Sequence, residues 1–195
     1  MIDQIYYWDE FLTLEEYEKV VSDFNDSTWE FRGMSKDSPD SRMIWYKEME
    51  GCAYTRSLFK RKIETFTGKK IITERLYANG QAHGQCGNIH KDVPDEQKYG
   101  DYGTIVYFIH PEWKPIYGGN LFFTNEEETS VTGTFFPKSN SALMFDSRMK
   151  HCALEPSVYC TEQRVSVAMK FKFKTEYDKE EIILDENNLP KGRVI

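Results

Sequence analysis

Leu14, Tyr17, Val20, Val21 and Phe24 recur three and four positions apart, and Thr13-Leu14-Glu15-Glu16 has the form of a capping box. An amphipathic helix is therefore predicted from about residue 13 to just before the turn Asn25-Asp26-Ser27. A second helical pattern, with Tyr54, Leu58, Ile63 and Phe66 among basic residues, stops at Gly68, a residue suited to a left-handed helix terminus. Past Lys70 the period shortens to that of strands. Runs at 71–77, 104–109, 120–124, 131–136, 142–145 and 164–174 are separated by Gly, Pro, Asn and Asp. In the last of these Lys170, Lys172 and Lys174 alternate with Phe171 and Phe173, which predicts one wet and one buried side, a solvated sheet face or a protected edge.

These patterns predict a mainly β fold with flanking helices. A jelly roll or double-stranded β-helix of the cupin kind accommodates such short strands, can hold a metal between its two sheets, and leaves the N-terminal helices to pack outside one sheet. At 195 residues the chain fits one domain, with no room for a second catalytic one. It divides into a helical part at about 1–69, a β core at about 70–174 and a charged tail at 175–195. The tail ends Asn187-Asn188-Leu189-Pro190-Lys191-Gly192 and reads as a short appendage.

Acidic residues outnumber basic ones by 32 to 25, a formal charge of −7, which opposes attraction to nucleic-acid backbones or anionic membranes. Lys60-Arg61-Lys62 and Lys69-Lys70 read as solvated basic surface in or beside a helix. Cys52, Cys86, Cys152 and Cys160 form no CxxC pair, Met1-Ile2-Asp3-Gln4 lacks the layout of a secretory signal, and no apolar run is long enough to span a bilayer. The expectation is a soluble protein in a reducing cytoplasm, where the sequon at Asn25 carries no glycan.

The candidate chemistry lies in the β half. In an extended segment positions i and i+2 point the same way, so His90 and Asp92 can aim at one ion while Lys91 faces away. Gly80, Gly84 and Gly87, with His83 and Asn88, give the preceding stretch the character of a loop entering a site. His151 follows the apolar run 142–145 and supplies a second imidazole. Two imidazoles and one carboxylate form the facial set of non-haem Fe(II) oxygenases. A site of His83, His90 and His151 would instead resemble a catalytic zinc centre, and a buried core histidine is the plain alternative for His151. His110, before Pro111, is assigned a turn and no chemistry. Arg164 and Ser166 share a strand face; the arginine offers a fork for a carboxylate, or else a structural salt bridge. A non-catalytic cupin-like metal or ligand binder and a zinc hydrolase using His83 therefore stand beside the oxygenase.

Taken in order, Tyr77-Ala78-Asn79-Gly80, His90-Lys91-Asp92, Trp113 to Gly118-Gly119-Asn120-Leu121, Pro137 with Leu143-Met144-Phe145, His151-Cys152-Ala153-Leu154-Glu155-Pro156 and Arg164-Val165-Ser166 resemble the Fe(II)/2-oxoglutarate-dependent dioxygenases. The prolyl 4-hydroxylase-like branch is the most similar, over about residues 70–174, and 11–16 is similar to that branch's first helix. The resemblance implies iron ligation by His90, Asp92 and His151, with Arg164 holding the distal carboxylate of 2-oxoglutarate and Ser166 and Tyr77 donating hydroxyls. It further implies O2 as co-substrate, release of succinate and CO2, ascorbate as an additional ligand, and hydroxylation of a peptide, protein or small molecule, a prolyl residue among the options. Two departures bear on substrate identity. The interval from Tyr77 to His90 is longer than in the prolyl hydroxylases, and Phe108 stands where many have tyrosine, with Tyr107 expected to face the other way. The segments 80–88 and 93–102 are expected to border the mouth of the site.

Overall fold

The structure is a computed structural model that describes residues 4–33 and 43–175. Its larger sheet has seven strands: β1 (Tyr6–Trp8), β2 (Trp29–Gly33), β3 (Met43–Glu48), β4 (Ile71–Gln81), β5 (Tyr102–Phe108), β8 (Ala142–Asp146) and β10 (Arg164–Phe173). They lie in the order β1-β8-β5-β10-β4-β3-β2, every pair antiparallel. The smaller sheet orders β7 (Val131–Phe135), β6 (Leu121–Thr124) and β9 (His151–Ala153). An isolated bridge between His90 and His151 lays the 90s segment along the far side of β9.

Each face of the large sheet has its own core. Val106, Phe108, Leu143, Phe145, Ala168 and Tyr77 meet Leu121 and Phe123 of the smaller sheet. On the opposite face Leu76, Ile105, Val167, Met169 and Phe171 meet Phe59 and Ile63 of α2 (Ala53–Thr67) and Val20 of α1 (Leu14–Asn25). Two sheets enclosing one core, with helices outside the larger, is the double-stranded β-helix that the strand periodicity predicts.

Both helices have the ends their sequences predict. Thr13 accepts from the Glu16 amide while Glu16 accepts from the Thr13 amide, and Gly68 closes α2 at φ 66° with its N–H on the Glu64 carbonyl. Lys62 and Arg61 reach Glu16 at 2.9 and 3.7 Å, so part of the expected solvated basic run ties α2 to α1. The part before residue 70 is less helical than its pattern suggests. It contributes β1, β2 and β3 to the large sheet, β3 through alternation of buried Ile44 and Tyr46 with exposed Met43 and Trp45. The expected tail lies outside the described residues from 176 onward. No helix among the described residues is long and apolar enough to cross a membrane, and none of the four cysteines is in a disulfide.

The lysine comb on β10 requires a correction. This strand is central, between β5 and β4, rather than an edge, and at Lys170 its lysine-bearing face is covered rather than solvated. Phe171 and Phe173 face the helices, whereas Lys170 faces the space between the sheets and meets Asp92. The alternation is real, but it separates two interiors of different polarity.

Candidate active site

His90, Asp92 and His151 come together from the segment after β4 and the start of β9, each offering one ligand atom, with these atoms all within 4.8 Å of one another. The backbone makes this inevitable once the sheet forms: the amides of His90 and His151 each donate to the other's carbonyl at 3.0 Å. The amide of Asp92 donates to the Ser147 carbonyl at 2.8 Å.

Hydrogen bonds also set the imidazole tautomers. His90 Nδ1 lies 2.8 Å from the Asn88 carbonyl, and His151 Nδ1 lies 2.8 Å from the Met149 carbonyl. A carbonyl only accepts, so each Nδ1 carries the proton and each Nε2 presents a lone pair. Those Nε2 atoms stand 3.7 and 3.6 Å from Asp92 Oδ1 and Oδ2. Phe145 and Phe123 pack against the His151 ring at 4.8 and 5.8 Å between centroids. Burial pushes the His151 pKa down to about 4, so the ring is neutral at physiological pH.

Burial alone would raise the pKa of Asp92, but the His151, His90 and Lys170 side chains around it hold the carboxyl well below its usual range. Since His151 is itself neutral at pH 7, the permanent charge among these is Lys170, whose Nζ is 2.7 Å from Oδ1. Thr104 donates its hydroxyl to Oδ2 at 2.7 Å. An ionised carboxylate and two imidazole lone pairs are the donor chemistry a divalent ion of the iron series requires.

Arg164, 1% exposed, opens the same inner face of β10. Its Nε donates to the Gly119 carbonyl, its Nη1 to Gln81 Oε1 at 3.0 Å, and its Cζ stands 5.2 Å from the Phe108 ring centroid. Nη2 is buried with no partner, and no carboxylate among the described residues pairs with the guanidinium. The salt-bridge alternative for Arg164 is therefore not what the fold builds. Burial lowers its pKa to about 10, which still leaves it a cation.

Ser166 lies on Arg164's face, opposite Asn79 and Phe108 in the neighbouring strands. Tyr77, opposite Ala168, stacks on Tyr46 at 5.6 Å, and burial pushes its phenol up to about 12. Tyr107 points to the helical side, its hydroxyl 3.2 Å from Asn140 Oδ1, as expected. His83 is outside the cluster: its Nδ1 faces the Pro156 carbonyl at 3.2 Å and its side chain is half exposed, so the three-imidazole arrangement is not assembled. His110 is more than a turn residue. It is buried in a stack between Phe108 and Trp113 with both ring nitrogens unpartnered.

Sequence reasoning gave no site role to Lys170, Thr104, Gln81 or Gly119. For Lys170 a signal was present, because 164, 166, 168 and 170 share parity along one strand. Thr104, Gln81 and Gly119 are set by cross-strand register and loop approach, which the sequence alone does not contain.

This geometry defines a jelly-roll protein with a two-histidine, one-carboxylate cluster and a buried unpaired arginine on one inner face. The family model of the 2OG-Fe(II) oxygenase superfamily matches residues 75–172, and the chain belongs to that superfamily. Curated proteins give no sequence match. Among solved structures it is similar to a prolyl hydroxylase from Trichoplax adhaerens, in complex with a hypoxia inducible factor oxygen degradation domain peptide. The TM-score is 0.63 and the identity 16%, over 87% of this chain and 82% of that one. It is also similar to the viral collagen prolyl hydroxylase of Paramecium Bursaria Chlorella virus-1, with TM-score 0.59, 16% identity and coverage of 86% and 95%. A third, the alpha ketoglutarate dependent epimerase SnoN from nogalamycin biosynthesis, has TM-score 0.62, 13% identity and coverage of 86% and 76%. At these identities the likeness establishes the fold.

Proposed function

We propose that the chain is a hydroxylase that binds Fe(II) through His90, Asp92 and His151 and 2-oxoglutarate through Arg164. The observation that carries this reading is the Arg164 guanidinium, buried without an anion and with Nη2 unpartnered, on the wall of the space that also receives Asp92. A buried charge without a partner is costly, so the site is built to receive a carboxylate. Held by these residues, ferrous iron with the keto acid and O2 would supply the oxidising power for C–H hydroxylation, at the expense of the keto acid, which would be converted to succinate and CO2.

The protein's own part is placement. The Nδ1–carbonyl bonds aim both Nε2 atoms, Thr104 fixes Asp92, and Phe123 and Phe145 keep water from the His151 side. Ser166 offers a hydroxyl on Arg164's face, and Tyr77, protonated throughout the physiological range, offers a phenol. Phe108 gives the anchor an apolar wall in place of a phenol.

The substrate we propose is an unactivated C–H bond of a peptide, protein or small molecule, with a prolyl residue the first to try, since two of the similar structures are prolyl hydroxylases. Ascorbate belongs to the same proposal through that branch, and the absence of a disulfide among the four cysteines supports a reducing compartment.

The test is anaerobic addition of Fe(II) and 2-oxoglutarate to metal-free protein. A visible charge-transfer band that His151→Ala abolishes is the expected result. A folded protein that shows no band at saturating keto acid is a binder or a different metalloenzyme.

A further inference from the structure

Lys170 is the one lysine or arginine in direct contact with the carboxylate of the cluster among the described residues, and the proposed function gives it no task. Its Nζ touches Asp92 twice, at 2.7 Å on Oδ1 and 3.3 Å on the backbone carbonyl. The Asp92 side chain is 3% exposed and that of Lys170 18%. Thr104, Lys170's register partner on β5, occupies Oδ2 and is itself 2.9 Å from Ser147 Oγ. Both carboxylate oxygens are thus satisfied, one by a positive charge, before any metal arrives.

We propose that Lys170 is a built-in counter-ion that stands in for the divalent cation in the metal-free protein, weakening metal binding on its own and coupling it to the keto acid. This rests on the metal reading above. A carboxylate this deeply buried is costly without an opposite charge beside it, and the Lys170 ammonium 2.7 Å from Oδ1 supplies that charge and fixes the orientation of the group. The same ammonium must then share Asp92 with an incoming dication, and like charges at close range in a dry pocket repel strongly.

The charge count turns this repulsion into coupling. Asp92, Lys170 and Arg164 together carry a single net positive charge, and a divalent ion makes that threefold. Dianionic 2-oxoglutarate returns it to one. Metal and keto acid should therefore each strengthen the other's binding, by the same factor in both directions. Without Lys170 the same count would start one charge lower, so the metal alone would bind more tightly and the keto acid would add less.

Mn(II) titration of the metal-free full chain, followed by the loss of the free-ion electron paramagnetic resonance signal, with and without 2-oxoglutarate, tests this. For Lys170→Met we expect Mn(II) alone to bind about tenfold more tightly than to wild type. The factor by which 2-oxoglutarate tightens Mn(II) should fall correspondingly, and Lys170→Arg should behave like wild type. A Lys170→Met protein of wild-type circular dichroism that binds Mn(II) alone no more tightly than wild type overturns the proposal. Should that variant not fold, the wild type decides alone: 2-oxoglutarate that leaves its Mn(II) affinity unchanged overturns the proposal as well. If wild type takes up no Mn(II) under either condition, the metal reading itself fails, an outcome distinct from the other two.

Discussion

Gln81 Oε1 accepts a 3.0 Å hydrogen bond from Nη1 of Arg164, its register partner across β4 and β10, and Nη2 of the same guanidinium has no hydrogen-bond partner among the described residues. One neutral amide thus holds one side of the fork and leaves the other for a ligand.

Arg164→Ala should weaken 2-oxoglutarate binding by about 30-fold to several thousand-fold, the equivalent of roughly 2–5 kcal/mol for losing one partner of a buried charge pair. Arg164→Lys should recover part of it, because a point charge replaces a planar fork. Gln81→Leu should cost only about tenfold, through a less well held guanidinium, near the value of one hydrogen bond to a charged group. Titration of the charge-transfer band with keto acid reads all three.

Gly119 combines a φ of 75° with a close approach, since a Cβ there would stand 2.9 Å from Arg164 Cδ and 3.3 Å from its Nε. Gly119→Ala should therefore displace the guanidinium that its own carbonyl now receives. The left-handed backbone adds about 1–2 kcal/mol of destabilisation. The expected signature is a raised KM for 2-oxoglutarate with a lower urea midpoint, and an unchanged KM would show that the arginine is positioned from elsewhere.

Burial in the Phe108–His110–Trp113 stack, with Arg164 nearby, pushes the His110 pKa down to about 3. An unfolded histidine titrates near 6.5, so the unfolded chain takes up a proton first as pH falls. The stabilising contribution is complete above about pH 6.5 and is lost progressively between there and about 3. His151 in the metal-free protein acts with the same sign down to about 4. His110→Phe keeps an aromatic in the stack and removes one titration. It should flatten the fall in stability between pH 6 and 4 by about 1 kcal/mol per pH unit, measured by urea unfolding.

The helices and most of the core strands were legible because their signals are local. Thr13 with Glu16 and the terminal Gly68 mark helix ends by chemistry confined to a few residues. The short strand β1 carries no such signal, and it joins the sheet through Tyr6 and its partner Met144, far along the chain. The cluster was legible too, since the i, i+2 rule places His90 and Asp92 together and the β pattern brings a later histidine to them.

The misreading of β10 has a physical origin. Alternating Lys and Phe means water on one side only if nothing covers that side, and coverage is a property of the tertiary fold. Parity placed Arg164, Ser166 and Lys170 on one face, so assigning the first two to a site and the third to solvent was inconsistent within the strand itself. Arg164's missing anion, by contrast, could be seen only in three dimensions, because many acidic residues were available to pair with it.

The mutual amide-to-carbonyl bonds of His90 and His151 stitch the hem of the smaller sheet with main chain alone. Side chain and seam are thereby independent: alanine at either position strips a donor from the pocket while the stitch survives. Evolution can consequently vary or silence the chemistry of this cavity without having to re-sew the cloth around it.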